Sequence, residues 1–270
     1  MEEGDRHWDH RGDLRGEGSQ DAHADSKEID QAIAAYRQAL ALAPESLAVR
    51  WRLMRAFFFK GEYGTDDNER KKAIYDDGKA IGEEALRLIR KEASQRTGRS
   101  MDKAGPVDLA PVMGDSPDVV ATFLWLSADW GEWAIAHGKL QAVRRGVATK
   151  IRELALAVSR MDPNYAEGGG YRVLGRLYHQ APYVPFITGW ASTKEAVGFL
   201  RRACAIGPQN SHNRLYLAEA LWDLGGDSRK EARAVAEALI RDTPRPEFLV
   251  EDRWAREHAR KLVEAAEKEK

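Results

Sequence analysis

Apolar residues along this chain recur at intervals of three and four, Gly and Pro punctuate between them, and strand-like alternation is almost absent. That periodicity belongs to amphipathic helices and predicts an all-α fold. The pattern places a strong helix over 26–43 and another from Leu47 to Phe59, with Gly61 as the residue that closes it. A charged loop, Asp66 to Lys72, leads into a long helix ending near Ala93. Residues 95–117, rich in Gly and Pro, read as a loop of about 20 residues. Ser116-Pro117 then fits N-cap and first position of a helix carrying Phe123, Trp125, Leu126, Trp130 and Trp133. Beyond the His137-Gly138 turn, residues 140–160 form one amphipathic helix ended by Met161-Asp162-Pro163. Further helices follow over 171–178, 194–206, 213–224 and 229–240. A last one, 249–268, has Phe248, Trp254 and Leu262 on its apolar side and a Glu/Lys-rich end suited to capping a helical array.

The helices repeat. Tyr171, Leu174, Gly175 and Tyr178 follow the aromatic-x-x-Leu-Gly-x-x-Tyr spacing of the first helix of a tetratricopeptide (TPR) unit. Ala196, Leu200, Ala203 and Pro208 follow the spacing of the second helix, in which small residues let two helices approach and large ones fill the groove. The second spacing recurs at Ala32, Tyr36, Ala39 and Pro44, and at Ala232, Ala236, Leu239 and Pro244. A degenerate copy, Ile151, Ala155 and Val158, ends at Pro163. The expected architecture is therefore a single TPR-like array over 1–270, an α-α superhelix of about five helix pairs with a C-terminal capping helix. Trp8 and Gly12 sit where a first helix would carry its aromatic and small residue, but residues 1–24 are polar and read as a weakly ordered terminus. Between the halves of the Tyr171 unit, residues 179–193 insert about nine residues beyond the standard loop.

Composition narrows the function. Of 270 residues, 43% are hydrophobic and 31% charged, with a net charge of −1. This is a globular balance with no general attraction to nucleic acid or anionic membrane. No apolar run reaches the roughly 18 residues of a membrane span. Cys204, the one cysteine, excludes an internal disulfide and a Cys-based zinc site and reads as a packed thiol. His7 and His10 beside Asp5 and Asp9 suggest a solvated terminus rather than a metal site. No nucleophile, zinc or hydrolase motif is present, so the chain reads as non-enzymatic, with no cofactor or metal implied. Asp129, Glu132 and His137 are the residues an enzyme reading would have to use. The Lys/Asn ladder of TPR clamps that hold peptide carboxylates is not evident.

Three stretches carry the binding expectation. Trp125, Asp129 and Trp133, four apart, share one helix face. An aromatic stripe at that spacing ordinarily builds core, and the carboxylate between two tryptophans is what keeps a ligand in view. Gly168-Gly169-Gly170 before a helix, followed closely by Arg172, reads as a turn with positive φ. It lacks the strand and the Gly-Lys-Ser/Thr ending of a P-loop, though an anion at that helix start stays open. In the insertion, Pro182 stops one helix and Ser192-x-x-Glu195 starts the next. Between them Tyr183, Val184, Pro185, Phe186, Ile187 and Trp190 are too apolar to leave in water, so they pack on the array or form an apolar pocket or partner surface.

The runs Gly169 to Trp190 and Asn213 to Leu221, with the Trp-rich helix and the Ala34-Tyr36-Ala39-Pro44 to Phe57 stretch, resemble the TatT-like family. These are TPR-like helical proteins associated with TRAP-type solute transporters of bacteria. The resemblance implies a non-enzymatic periplasmic component, often lipid-anchored. It implies an oligomer, assembly with a periplasmic substrate-binding protein as partner, and a cleft or pore for a hydrophobic small molecule. Trp125, Asp129, Trp133, Arg172, Tyr183, Phe186 and Trp190 are the residues expected to line it. The chain as written carries no signal peptide or lipobox cysteine. Its expected compartment is thus cytoplasmic, or periplasmic for a mature or trimmed chain. A general soluble TPR adaptor that binds a protein and no small ligand is the alternative.

Overall fold

The computed structural model describes residues 1–12, 24, 26–182, 184 and 188–268. Among them are thirteen α-helices and a short 3-10 turn, with no strand. The helices stack as antiparallel pairs in chain order. The first pair is α1 (Glu2–Asp9) with α2 (Ser26–Leu42), and the second is α3 (Leu47–Tyr63) with α4 (Asn68–Thr97). Short α5 (Pro106–Met113) follows, then α6 (Pro117–His137), the one-turn α7 (Lys139–Arg144), and α8 (Val147–Met161), which pairs with α6. α9 (Tyr165–Gln180) pairs with α10 (Thr193–Ile206), and α11 (Ser211–Leu224) with α12 (Ser228–Arg241). α13 (Leu249–Lys268) lies against α11 and α12 as the cap. The all-α helix-pair architecture expected from the periodicity is what the chain adopts.

The repeat positions work as their spacing implies. Ala32, Ala196, Leu200, Ala203, Ala232 and Ala236 are fully buried. A methyl group added to Gly175 would lie 2.4 Å from Leu200 Cγ, so this glycine sets the close crossing of α9 on α10. Caps mark the helix starts. The Ser46 side chain accepts from Val49 N–H, Asp67 from Arg70 N–H, Ser192 from Glu195 N–H and Asn210 from Asn213 N–H. Ser116 and Pro117 hold the expected N-cap and first positions, without a side-chain bond from Ser116.

Several local expectations need correction. The 95–117 segment is not a structureless loop: α4 continues to Thr97, and α5 packs Leu109, Ala110 and Met113 into the core. Pro106 at the start of α5 lacks only an N–H that no helix start uses, and Asp108 accepts from Gly105 N–H instead. Residues 140–160 are broken at Gly146, whose φ of 63° separates α7 from α8. Gly61 does not end α3. It sits inside the helix, where a methyl would meet the Tyr75 ring at 2.5 Å. Within 1–24, residues 2–9 form a docked helix, not a fraying end: a methyl on Gly4 would collide with the Tyr36 ring, and Trp8 packs edge-on against Phe59.

One arrangement the repeat spacing does not announce is that the array closes on itself. Arg11, after α1, donates to the Glu251 carboxylate in the first turn of α13 at 2.7 Å and to the Glu247 carbonyl in the 3-10 turn before it at 2.8 Å. Val250 and Trp254 of α13 share one apolar cluster with Trp8, Phe59 and Tyr63. The Tyr63 hydroxyl of α3 lies 3.0 Å from His212 Nε2 of α11. Thus α3 touches α6, α6 touches α9, α9 touches α11, and the Tyr63–His212 bond returns from α11 to α3. Four first-position helices enclose an inner face.

Candidate functional site

The inner face is visible first as a gap in burial. α6 is covered nearly all round, yet Trp125, Ala128 and Glu132 remain half-buried along one stripe. α3 presents Trp51, Arg55, Phe58 and Glu62 at helical spacing, α9 presents Tyr165, Arg172 and Arg176, and α11 presents His212, Tyr216 and Glu219, all half-buried. These stripes meet. Phe58 and Trp125 rings lie 5.7 Å apart, and Arg176 stacks on Tyr216 at 4.3 Å while pairing with Glu219. Glu132 interacts with Glu62 across the α3–α6 gap and with Arg176 of α9. Side chains from these helices thus lie within electrostatic reach of one another.

The lining has two ends. Toward Glu62 it is charged. Burial, and next the Glu62 carboxyl, push the Glu132 pKa up to about 8, with Arg176 and Lys71 opposing. Glu132 is therefore protonated at neutral pH. Burial, with Arg172 next in effect, pushes the His212 pKa down to about 3, so that ring is neutral between Tyr63 and the stacked Trp254. Toward Trp51 the lining is aromatic, with Trp51, Phe58, Trp125 and Tyr165, and the Arg55 guanidinium there lies 3.8 Å over Trp8 and 5.0 Å from Trp51.

The residues named from sequence are divided by this arrangement. Trp125 belongs to the inner face. Asp129 and Trp133 turn toward α4: Asp129 is sealed, with both oxygens lacking partners and Gly78 leaving just the room it needs. The Trp133 indole donates to Asp76 at 2.8 Å, and its ring stacks on His137 at 4.2 Å. Trp130 and Trp133 pack edge to face within the core, as a stripe at this spacing ordinarily does. Arg172 is on the inner face, tied by Nη1 to the Asn213 side chain and the Ala166 carbonyl. Trp190 packs on Tyr178 at 4.6 Å with Arg152 at 4.9 Å, on the α8–α9 side. Tyr183 and Phe186 lie outside the described residues. Asp129 and Glu132 sense each other's charge, while His137 stacks on Trp133 beside Asp76. Among the described residues no cluster of His, Cys, Asp and Glu has the makings of a metal site, and His7 binds Glu28 at 2.7 Å.

Gly168–Gly170 proves to be a packing device rather than an anion cradle. A methyl at Gly168 would meet the Ala203 backbone at 3.0 Å, one at Gly169 Leu124 at 3.0 Å, and one at Gly170 Ser159 Oγ at 2.5 Å. Only Gly168 among them has positive φ, but Ala166 and Glu167 before it are left-handed as well, with φ of 51° and 57°. Two such non-glycine residues in sequence are costly and need external restraint. Here Glu167 O accepts from Asn213, Ala166 O accepts from Arg172, and the Glu167 carboxylate holds Asn210 and Arg245. The turn swings Tyr165 onto the inner face beside Trp125.

Sequence reasoning missed Arg55, Glu62, Glu132 as an inner-face group, Arg176 and Tyr216. The signal was present as charged or half-polar residues recurring on the first-position helices at three, four and seven. Its meaning depends on closure, which brings those faces together. Compared with protein-family models and with curated proteins, the chain matches none.

Proposed function

We propose that the protein is a non-enzymatic binding component that takes an amphipathic small molecule on the inner face of its closed array and docks with a protein partner through its outer surface. The observation that carries this reading is the two-ended inner lining: aromatic around Phe58 and Trp125, charged around Glu62, Glu132 and Arg176. A core that served stability alone would fill this position with interlocking apolar groups. Instead half-buried aromatics and paired charges converge from four helices, which is how ligand sites are ordinarily composed. The placement of His137 against Trp133 and Asp76, apart from Asp129 and Glu132, supports binding over catalysis. The resemblance to the TatT-like family supports a transport-associated role, with a periplasmic substrate-binding protein as the partner and a homo-oligomer as the working form.

Native mass spectrometry of gently purified protein tests this. The expected result is a discrete assembly that releases a small lipophilic molecule on unfolding, and Phe58→Glu is expected to abolish its retention while helical content survives. A bare protein, in both wild type and variant, would contradict the small-molecule reading and leave protein–protein adaptation as the function to test.

A further inference from the structure

Arg55 is a cation without an anion. It sits on the inner face of α3, half-buried, between the rings of Trp8 and Trp51. Its Nε has no hydrogen-bond acceptor. The carboxylates near this end of the array are engaged elsewhere: Asp5 accepts from Tyr36 and Arg52, Asp118 from the Trp51 indole, and Glu251 from Arg11. The charged or titratable groups that bear on Arg55 are Tyr36, whose hydroxyl also hydrogen-bonds with the guanidinium, Arg11 and Tyr165, none of them a carboxylate. Burial, the largest influence, pushes its pKa down to about 10, which still leaves it fully charged at neutral pH. A guanidinium removed from water with no counter-charge is unfavourable unless something supplies one.

A second unmet donor lies beside it. The Trp125 indole N–H is near the Tyr165 oxygen but has no acceptor at hydrogen-bond geometry. Thus one cation, one indole N–H and one phenol O–H converge where α3, α6 and the left-handed turn before α9 meet. The surrounding surface is Trp51, Phe58 and Trp125. Three donors and a single positive charge match a monoanion, and a carboxylate accepts in the plane that a guanidinium offers. A phosphate would bring more charge than Arg55 alone offsets.

We infer that Arg55 is the anchor for the carboxylate head of an apolar organic acid, with Trp125 N–H and Tyr165 O–H as auxiliary donors and the acid's tail lying along Phe58 and Trp125. The inference rests on the small-molecule reading above and makes it specific: head-group chemistry, orientation and anchor residue. The carboxyl pair at Glu62 and Glu132 lies two turns further along α3, so the tail, not a second carboxylate, is what the rest of the face accepts.

Binding of decanoate and of decanol, which share a tail and differ in head group, separates the possibilities. Titrations at pH 7.5 followed by tryptophan fluorescence are expected to show decanoate binding about tenfold or more tighter than decanol. In Arg55→Gln that preference is expected to vanish while decanol affinity is unchanged. Equal affinity of the two in wild type would overturn carboxylate recognition and leave the apolar inner face standing. Failure of both to bind would overturn the inference together with the small-molecule reading. Because Arg55 also packs on Trp8, the variant Trp125→Phe/Tyr165→Phe serves as an independent check. It removes both neutral donors along with part of the indole surface, so decanol affinity is expected to fall modestly and decanoate affinity several-fold further. Unchanged decanoate binding in that variant, with circular dichroism unaltered, would equally overturn the assignment.

Discussion

Asp129 is a carboxyl group with nowhere to ionise. It is fully buried, neither oxygen has a hydrogen-bond partner, and burial, with Glu132 next, holds its pKa well above the usual carboxylate range. Leu has nearly the same shape and no polar group to satisfy. Asp129→Leu is therefore expected to stabilise the fold at pH 7 by on the order of 1–3 kcal/mol, read by urea unfolding. Loss of stability in that variant would show that the carboxyl has a partner after all. Glu132 gives a related prediction with a definite pH window. Its folded pKa, about 8, stands above the 4.5 it has when unpartnered, so the folded state binds the proton more tightly. The stabilisation relative to the ionised form is complete below about 4.5 and is lost as pH rises through 8. His212 acts oppositely, because its folded pKa is depressed, and its contribution is complete above its unfolded pKa of about 6.5. Between pH 6.5 and 8 the unfolding free energy should therefore fall by about 1–2 kcal/mol, and Glu132→Gln should flatten the decline. At this scale the sequence was a poor guide. Trp125 and Asp129 look alike in spacing, yet one faces the inner surface and the other is sealed against α4. Four residues advance about 40° around a helix, enough to place the two on opposite edges of one stripe, and no pattern of types records where the neighbouring helix lies.

Helices themselves were far more legible. Their starts are written in Ser46, Asp67, Ser192 and Asn210, and their crossings in small residues at fixed spacing. Gly175 is the clearest case. Its would-be methyl meets Leu200 Cγ at 2.4 Å, so Gly175→Ala should destabilise by about 1–3 kcal/mol, more than the helix propensity gained. Pairing it with Leu200→Ala should recover part of that loss in a double-mutant cycle, since the clash is with that side chain. Simple additivity would show that the close approach is not the cause. Where the reading failed, physics local to the element was outvoted by packing. Pro106 and Pro111 make 95–117 look broken, yet Leu109, Ala110 and Met113 have a core to enter, and the short helix forms. Gly61 resembles a helix terminator because its freedom is visible in sequence and the Tyr75 ring that demands its bareness is not. The Gly168–Gly170 run misleads for the same reason.

At the scale of the whole molecule, the decisive fact is a contact between ends separated by almost the entire chain. Arg11 meets Glu251, a pair 240 residues apart, with both side chains largely out of solvent. Repeat periodicity specifies how each pair stacks on the next but not how many pairs complete a turn, so closure was outside what the spacing could reveal. Closure also decides function in this account. In an open array Arg55, Glu62, Trp125, Arg176 and Tyr216 would be scattered along an exposed groove, and in the closed one they face one another. Arg11→Met should weaken the fold by about 3–5 kcal/mol, because it leaves Glu251 buried and unpaired. The most direct test uses the geometry of the junction. A Cβ at Gly12 would lie 4.0 Å from Leu249 Cβ, within the range a disulfide spans. In a Cys204→Ser background, Gly12→Cys/Leu249→Cys should lose both thiols on mild oxidation and form an intramolecular bond. It should gain stability from the large loop closed and retain ligand binding. Two thiols that stay free, or that bond only between molecules, would show that the ends do not meet, and the inner face would have to be abandoned with them.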